Sequence, residues 1–205
     1  VAPEQRGKSG AKDFNDVPTL LSSSDIRLEW ADIDARRVRL KPKLQRSPGT
    51  HLSGVIRYAL QESGLLRKAD EEDELPLRMA LGLAWEEWAV GLWPKMKWQP
   101  GEVVLDRVYA TPDGQTGKIL EEFKATWKSS WQREVTAETI WMWQLAGMLK
   151  IIGGLEARLH VLWVNGNYRP PSPCYRTYNI GFSRDEIDRF WANVVMKNKD
   201  KARQE

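Results

Sequence analysis

The stretch EVVLDRVYATPDGQTGKILEEFKATW, residues 102–127, decides how the chain is read. Its apolar residues fall in two groups, with Pro112-Asp113-Gly114 between them. Val103, Val104, Leu105, Val108 and Tyr109 form the first; Ile119, Leu120, Phe123, Ala125 and Trp127 form the second. β-Branched and aromatic residues on either side of a Pro/Asp/Gly cluster predict two strands joined by a turn. Side chains alternate across a strand, so Val104, Asp106 and Val108 share one face, and Leu120, Glu122 and Lys124 share one face of the partner. With the hairpin folded about Asp113-Gly114, Asp106 comes opposite residue 121 or 122. Asp106, Glu122 and Lys124 are then expected on one surface as cross-strand neighbours.

Two carboxylates and an ammonium on a stiff, half-buried sheet match the needs of a hard divalent cation. Mg²⁺ takes oxygen ligands, usually one or two carboxylates, with water and substrate phosphate completing its shell. A lysine two residues beyond Glu122 projects to the same side, where it can orient a metal-bound water or offset charge on a phosphate. The same pattern also fits a solvated sheet face carrying ordinary ion pairs, since 29% of the chain is charged.

Composition bounds the rest. At 205 residues, 41% hydrophobic and with eleven tryptophans, the chain is long and apolar enough for one domain with a substantial core. A mean hydropathy of -0.55 and the lack of a long apolar run argue against a membrane span. The single Cys174 excludes an internal disulfide framework and any Cys-based zinc or iron–sulfur site, and a reducing, intracellular setting is expected. The start, VAPEQRGKSGAKD, has no apolar h-region and is not read as a signal peptide; the missing initiator Met is read as processing or trimming. A net charge of +3 leaves nucleic-acid binding to a local basic surface.

In chain order, residues 1–24 are polar and aperiodic and read as a flexible or wrapped arm, with residues 25–205 as a single domain. Arg36, Arg37, Arg39, Lys41 and Lys43 form a basic cluster, either a phosphate-facing surface or a solvated charge run. Val55, Ile56, Ala59 and Leu60 predict an amphipathic helix over 52–66. A second helix follows Pro76 and ends at Pro94, with Glu86 beside its apolar stripe and Gly82 one turn earlier. After the hairpin, Lys128, Ser130, Trp131 and Arg133 make a basic loop suited to phosphate contact and base stacking, or a plain connection. Thr136 is expected to cap a helix ending at Gly153-Gly154, with Gln144 a lone polar residue between Trp141 and Met148. Strands are predicted over 157–164 and 174–182, then a helix capped by Ser183. His160, alternating within a strand, is expected to be structural, and His51 is a weak candidate.

The order is helix with Glu86, strand with Asp106, strand with Glu122-Phe123-Lys124, helix with Gln144, then further strands and a helix. It resembles the PD-(D/E)XK nuclease superfamily, more narrowly the RecB-type and phage recombination exonucleases, over about residues 51–197. In that family a helix bears an acid shortly after a glycine, as in Gly82-Leu83-Ala84-Trp85-Glu86. An aspartate ends a hydrophobic strand, as in Val104-Leu105-Asp106, and a Glu-x-Lys follows on the next. Gln144 fits the family's later glutamine, while Met148 stands where a tyrosine is frequent, and no proline precedes Asp106.

The resemblance implies an α/β fold with a central mixed sheet flanked by helices, a restriction-endonuclease-like core. It implies an Mg²⁺- or Mn²⁺-dependent deoxyribonuclease, of exonuclease type in phage recombination or repair. Glu86, Asp106 and Glu122, with the Phe123 carbonyl, would hold the metal; Lys124 would act on the water or the transition state, and Gln144 would orient Lys124 or DNA. DNA is the implied partner, with no membrane and no iron–sulfur cluster, in the cytoplasm of a bacterial host or encoded by a phage; a homo-oligomer, as in ring-forming relatives, stays open. So do a site-directed endonuclease, a catalytically silent nucleic-acid-binding or assembly module, and a hydrolase of small substrates.

Overall fold

The computed structural model describes residues 19–26, 47–66, 75–92, 95–131, 134–168 and 173–203. The basic cluster from Arg36 to Lys43, most of the N-terminal arm, and Arg133 lie outside these residues. Where the sequence suggests an arm up to residue 24, Thr19–Ile26 forms a strand, β1, antiparallel to a later strand over Cys174–Gly181. Its sequence, TLLSSSDI, has no apolar alternation, so only the pairing of its backbone marks it as a strand.

The remaining elements are β2 (Thr50–His51), α1 (Leu52–Glu62), α2 (Leu75–Ala89), β3 (Lys97–Trp98), β4 (Val103–Leu105), β5 (Val108–Ala110), β6 (Gly114–Thr116) and β7 (Ile119–Thr126). Then come α3 (Thr139–Ile152), β8 (Glu156–Trp163), β9 (Cys174–Gly181), and α4 (Arg184–Phe190), which runs on through a π-helical segment, Trp191–Val195, into α5 (Met196–Asn198). A six-stranded sheet has the order β1-β9-β8-β7-β6-β3, with only the β7–β8 pair parallel, and a three-stranded sheet has the order β2-β5-β4. The fold is thus α/β, with mixed sheets flanked by helices, as expected.

Strand alternation sorts the large sheet into two faces. Leu120, Ala157, Leu159, Val161, Tyr178 and Ile180 join the main core with Leu145 and Leu149 of α3, Val55 and Ile56 of α1, and Ile187 of α4. On the opposite face Phe123 and Tyr175 pack against Trp85 and Ala89 of α2. α1 and α3 cross closely: a Cβ on Gly147 would lie 2.7 Å from the Leu52 side chain. α3 ends where Gly153 takes φ 73, the left-handed conformation that glycine adopts without steric penalty. Its N-cap is Glu138 and not the expected Thr136, which sits in a preceding 3-10 turn, Val135–Ala137. α4 starts with a capping box in which Ser183 Oγ accepts from Glu186 N and Glu186 Oε2 accepts from Ser183 N.

The deciding stretch departs from expectation. It holds two hairpins instead of one. β4 and β5 pair about Asp106-Arg107, both with positive φ (50 and 66), which is the backbone of a two-residue turn matched to strand twist. β6 and β7 pair about Gly117-Lys118, with Gly117 at φ 60. Pro112-Asp113-Gly114 is therefore no hairpin turn; it carries the chain from the small sheet into the large one.

Candidate active site

β7 positions the site by outrunning its neighbour. β6 pairs with it only through Glu121, opposite Gly114, while β8 accompanies it to Thr126. Beyond Glu121 that edge lacks a strand partner, and the Phe123 N–H there donates to Asp113 Oδ2 at 2.9 Å. The Asp113 side chain thus replaces the missing strand and is fixed by it. In an extended strand the N–H and C=O of one residue point to the same edge, so the Phe123 carbonyl lies on Asp113's side.

Glu122 and Lys124 point to the α3 face, where Lys124 Nζ donates to Glu122 Oε1 at 2.5 Å. A cleft of about 180 Å³ opens there, lined by Asp113, Glu122, Lys124, Gln144 and Met148 together with His51, Ser53, Tyr109 and Thr111. Gln144 and Met148 stand one turn apart on α3, and both reach the cleft. Glu86, on α2, lies close enough to interact electrostatically with Glu122 and Lys124. A Cβ on Gly82 would meet nothing within 4 Å, so that glycine leaves an open approach and is not required by packing.

The electrostatics follow from crowding acids in a poorly hydrated place. Burial raises the Glu86 carboxyl from 4.5 to about 7, with a further push from the Glu122 charge and a smaller opposing pull from Lys124. Asp113 is raised well above the usual carboxylate range by burial and by Glu122 and Glu86, against the pull of Lys124 and the Phe123 N–H. Burial works against the Lys124 ammonium, but Glu122, Asp113 and Glu86 outweigh it and raise its pKa. Lys124 therefore stays charged at neutral pH, while Glu86 and Asp113 are both pressed toward their neutral forms.

That donor set suits a hard divalent cation in chemistry and in charge. Glu122 Oε2 is buried without a hydrogen-bond partner, and the mutual repulsion of the carboxylates is what a cation relieves. Among the described residues no three acidic, histidine or cysteine groups stand ready in metal-binding geometry; Glu122 Oε1 is turned onto Lys124.

Of the residues expected from sequence, the structure brings together Glu86, Glu122, Lys124 and Gln144, with the Phe123 backbone alongside. It does not bring Asp106. That residue sits in the β4–β5 turn, where its Oδ2 accepts the Trp191 indole N–H at 2.8 Å and its carbonyl accepts from Lys199. Neither the cleft wall nor the charges that shift Glu86, Asp113 and Lys124 include it. The aspartate that lines the cleft with Glu122 and Lys124 is Asp113. The sequence signal for it was Pro112, the residue found missing before Asp106.

The expected DNA-facing loop divides. Trp131 is exposed, but Ser130 is buried and its backbone is engaged at both ends, by Gly166 O and Arg176 Nη1. Lys128 pairs with Glu138 and lies 5.8 Å over the Trp141 ring. His160 is fully buried on the α2 face, bonded to Glu121, Tyr175 and Thr177 and stacked on Phe123 at 4.5 Å, so it serves packing as expected. Burial lowers its pKa despite the Glu121 partner.

No family model matches the chain, and no curated protein matches it either. Among solved structures it is similar to a phage-related exonuclease from Haemophilus somnus 129PT, at 14% identity over 75% of this chain and 81% of that one, with a TM-score of 0.50. It is also similar to an alkaline exonuclease from Laribacter hongkongensis, at 14% identity over 76% and 92% and a TM-score of 0.38. That enzyme in complex with dAMP aligns at 12% identity, 76% and 92% coverage and a TM-score of 0.42. The likeness to the phage-related exonuclease is one of fold. Among the described residues no helix is long and apolar enough to cross a membrane.

Proposed function

We propose that the chain is a metal-dependent deoxyribonuclease of the PD-(D/E)XK kind that hydrolyses phosphodiester bonds as an exonuclease. The observation that carries this reading is the convergence of Asp113, Glu122 and Lys124 on one cleft, with Glu86 beside them. With Asp113 as the first acid, Pro112-Asp113 and Glu122-Phe123-Lys124 together spell the motif that names the superfamily. The fold shared with a protein described as a phage-related exonuclease supports the same reading and favours the exonuclease form.

Glu86, Asp113 and Glu122 would hold Mg²⁺ or Mn²⁺, with the Phe123 carbonyl as a further oxygen donor. When bound, the cation neutralises phosphate charge and lowers the pKa of water. The Phe123 N–H pins Asp113 Oδ2, so this ligand would be oriented before substrate arrives. Lys124, kept protonated by its acidic neighbours, offers its ammonium to charge developing on the phosphate or to the attacking water. Gln144, on the facing helix, presents an amide that donates to a phosphate oxygen or steers Lys124.

Cleavage of matched linear and covalently closed circular DNA in Mg²⁺, Mn²⁺ or EDTA tests the proposal. Metal-dependent loss of linear DNA alone, abolished by Lys124→Ala, is the expected result. Cutting of the circle would replace the exonuclease with an endonuclease, and an inert, folded, metal-supplied protein would sink the nuclease reading.

A further inference from the structure

We propose that Trp127, Trp131 and Tyr168 form a stacking surface for the unpaired bases of a nucleic-acid strand passing the end of β7; the choice of ligand rests on the nuclease reading above. These side chains are 41%, 53% and 66% exposed. Single exposed aromatics are ordinary. Here, however, three of them stand on two loops that are bonded to each other.

Asn165 Nδ2 and Tyr168 Oη both donate to the Trp127 carbonyl, at 3.0 and 3.1 Å. Ser130 N donates to Gly166 O at 2.7 Å, Val164 N to Thr126 O at 2.8 Å, and Arg176 Nη1 to Ser130 O at 3.1 Å. Tyr168 itself is held at φ 60, a left-handed conformation that is sterically unfavourable for a residue with a bulky side chain. Hydrogen bonds and a strained turn therefore hold rings of large apolar area in water, where burial would ordinarily draw them inward.

Placement and charge point to a strand of nucleic acid as the occupant. β7 carries Glu122 and Lys124 and ends at Thr126, so Trp127 follows Lys124 by roughly 10 Å of extended chain. That separation lets one strand hold a phosphate in the cleft and a base on the rings. Two cations stand at these loops, Arg176, which donates to Ser130 O, and the half-exposed Lys128, which a phosphate could draw from its partner Glu138. Aromatic rings stack on any base, without regard to sequence. Bases within a duplex already stack on each other, so the surface selects single strands or frayed ends.

The test is fluorescence anisotropy of labelled oligonucleotides with the full chain in EDTA, which reads binding apart from hydrolysis. Trp127→Ala, Trp131→Ala and Tyr168→Ala should each weaken single-strand binding by about 5- to 150-fold, and an abasic strand should bind the native chain correspondingly poorly. Trp131→Phe, which keeps a ring, should retain most of the affinity; circular dichroism verifies that each variant is folded. Equal binding by the native chain and the alanine variants, or of abasic and intact strands, overturns the proposal. So does a loss of self-association in the variants with strand binding unchanged, which would assign the rings to a protein contact. Failure of the nuclease reading would instead show as absent cleavage in Mg²⁺ and would leave these affinity ratios as they are.

Discussion

Glu86→Gln should make the metal-free protein more stable at alkaline pH and leave it unchanged in acid. Burial and the neighbouring Glu122 raise the Glu86 carboxyl from 4.5 to about 7, so the native state holds this proton more tightly than the unfolded chain does. The stabilisation from that proton is complete below pH 4.5 and is lost as pH rises through about 7. By pH 8.5 the loss amounts to on the order of 3 kcal/mol. Glutamine keeps the shape of the neutral acid and does not titrate, so the variant escapes the loss. Urea denaturation in EDTA at pH 5, 7 and 8.5 reads the effect, and subtracting variant from native cancels the titrations of groups remote from Glu86. The variant's advantage should be no more than about 1 kcal/mol at pH 5 and should grow to about 3 kcal/mol at pH 8.5. Millimolar Mg²⁺ at pH 8.5 should stabilise the native chain more than the variant, because it binds the ionised acids. A difference that stays flat across this range, or a native chain more stable at pH 8.5, would refute the burial of Glu86 beside the Glu122 charge.

Other perturbations address the scaffold. Trp191→Phe removes the indole donor to Asp106 and should lower stability by about 1–3 kcal/mol, read by urea midpoint, without touching the cleft. Glu121→Ala strips Arg158 and His160 of the carboxylate between them on the buried face and should destabilise by about 3–5 kcal/mol in thermal or urea unfolding. Gly153→Ala places a Cβ at φ 73 and should cost about 1 kcal/mol, seen as a lowered urea midpoint.

Where periodicity and capping chemistry agreed, the sequence was legible. Val55, Ile56, Ala59 and Leu60 are the buried face of α1, Gly153 ends α3, and Ser183 with Glu186 starts α4. β7, β8 and β9 are within a residue of their expected spans, because long apolar strands at the sheet centre are patterned by burial. That Asp113 and not Asp106 lines the cleft was hidden for a local reason. Pro-Asp-Gly is strong turn chemistry, and Val104-Leu105-Asp106 looks like a strand ending in a carboxylate. Deciding between them needed long-range facts: β5 pairs with β2 in a separate sheet, and β6 stops short, so that Asp113 meets the bare Phe123 N–H. The edge strand β1 was illegible because nothing in TLLSSSDI alternates, and the rest of the cleft's lining, His51, Ser53, Tyr109 and Thr111 among it, comes from segments with no motif.

The most direct test of the central claim sets Asp113→Asn beside Asp106→Asn in one Mg²⁺-dependent cleavage assay on linear DNA. Asparagine at 113 keeps an oxygen for the Phe123 N–H but removes the charge, and it should abolish hydrolysis in a protein that still folds. At 106 the substitution touches only the side-chain contact to the Trp191 indole and leaves the backbone carbonyl that accepts from Lys199 in place, and cleavage should survive at near-native rates. Full activity in the 113 variant with loss in the 106 variant would contradict the site described above.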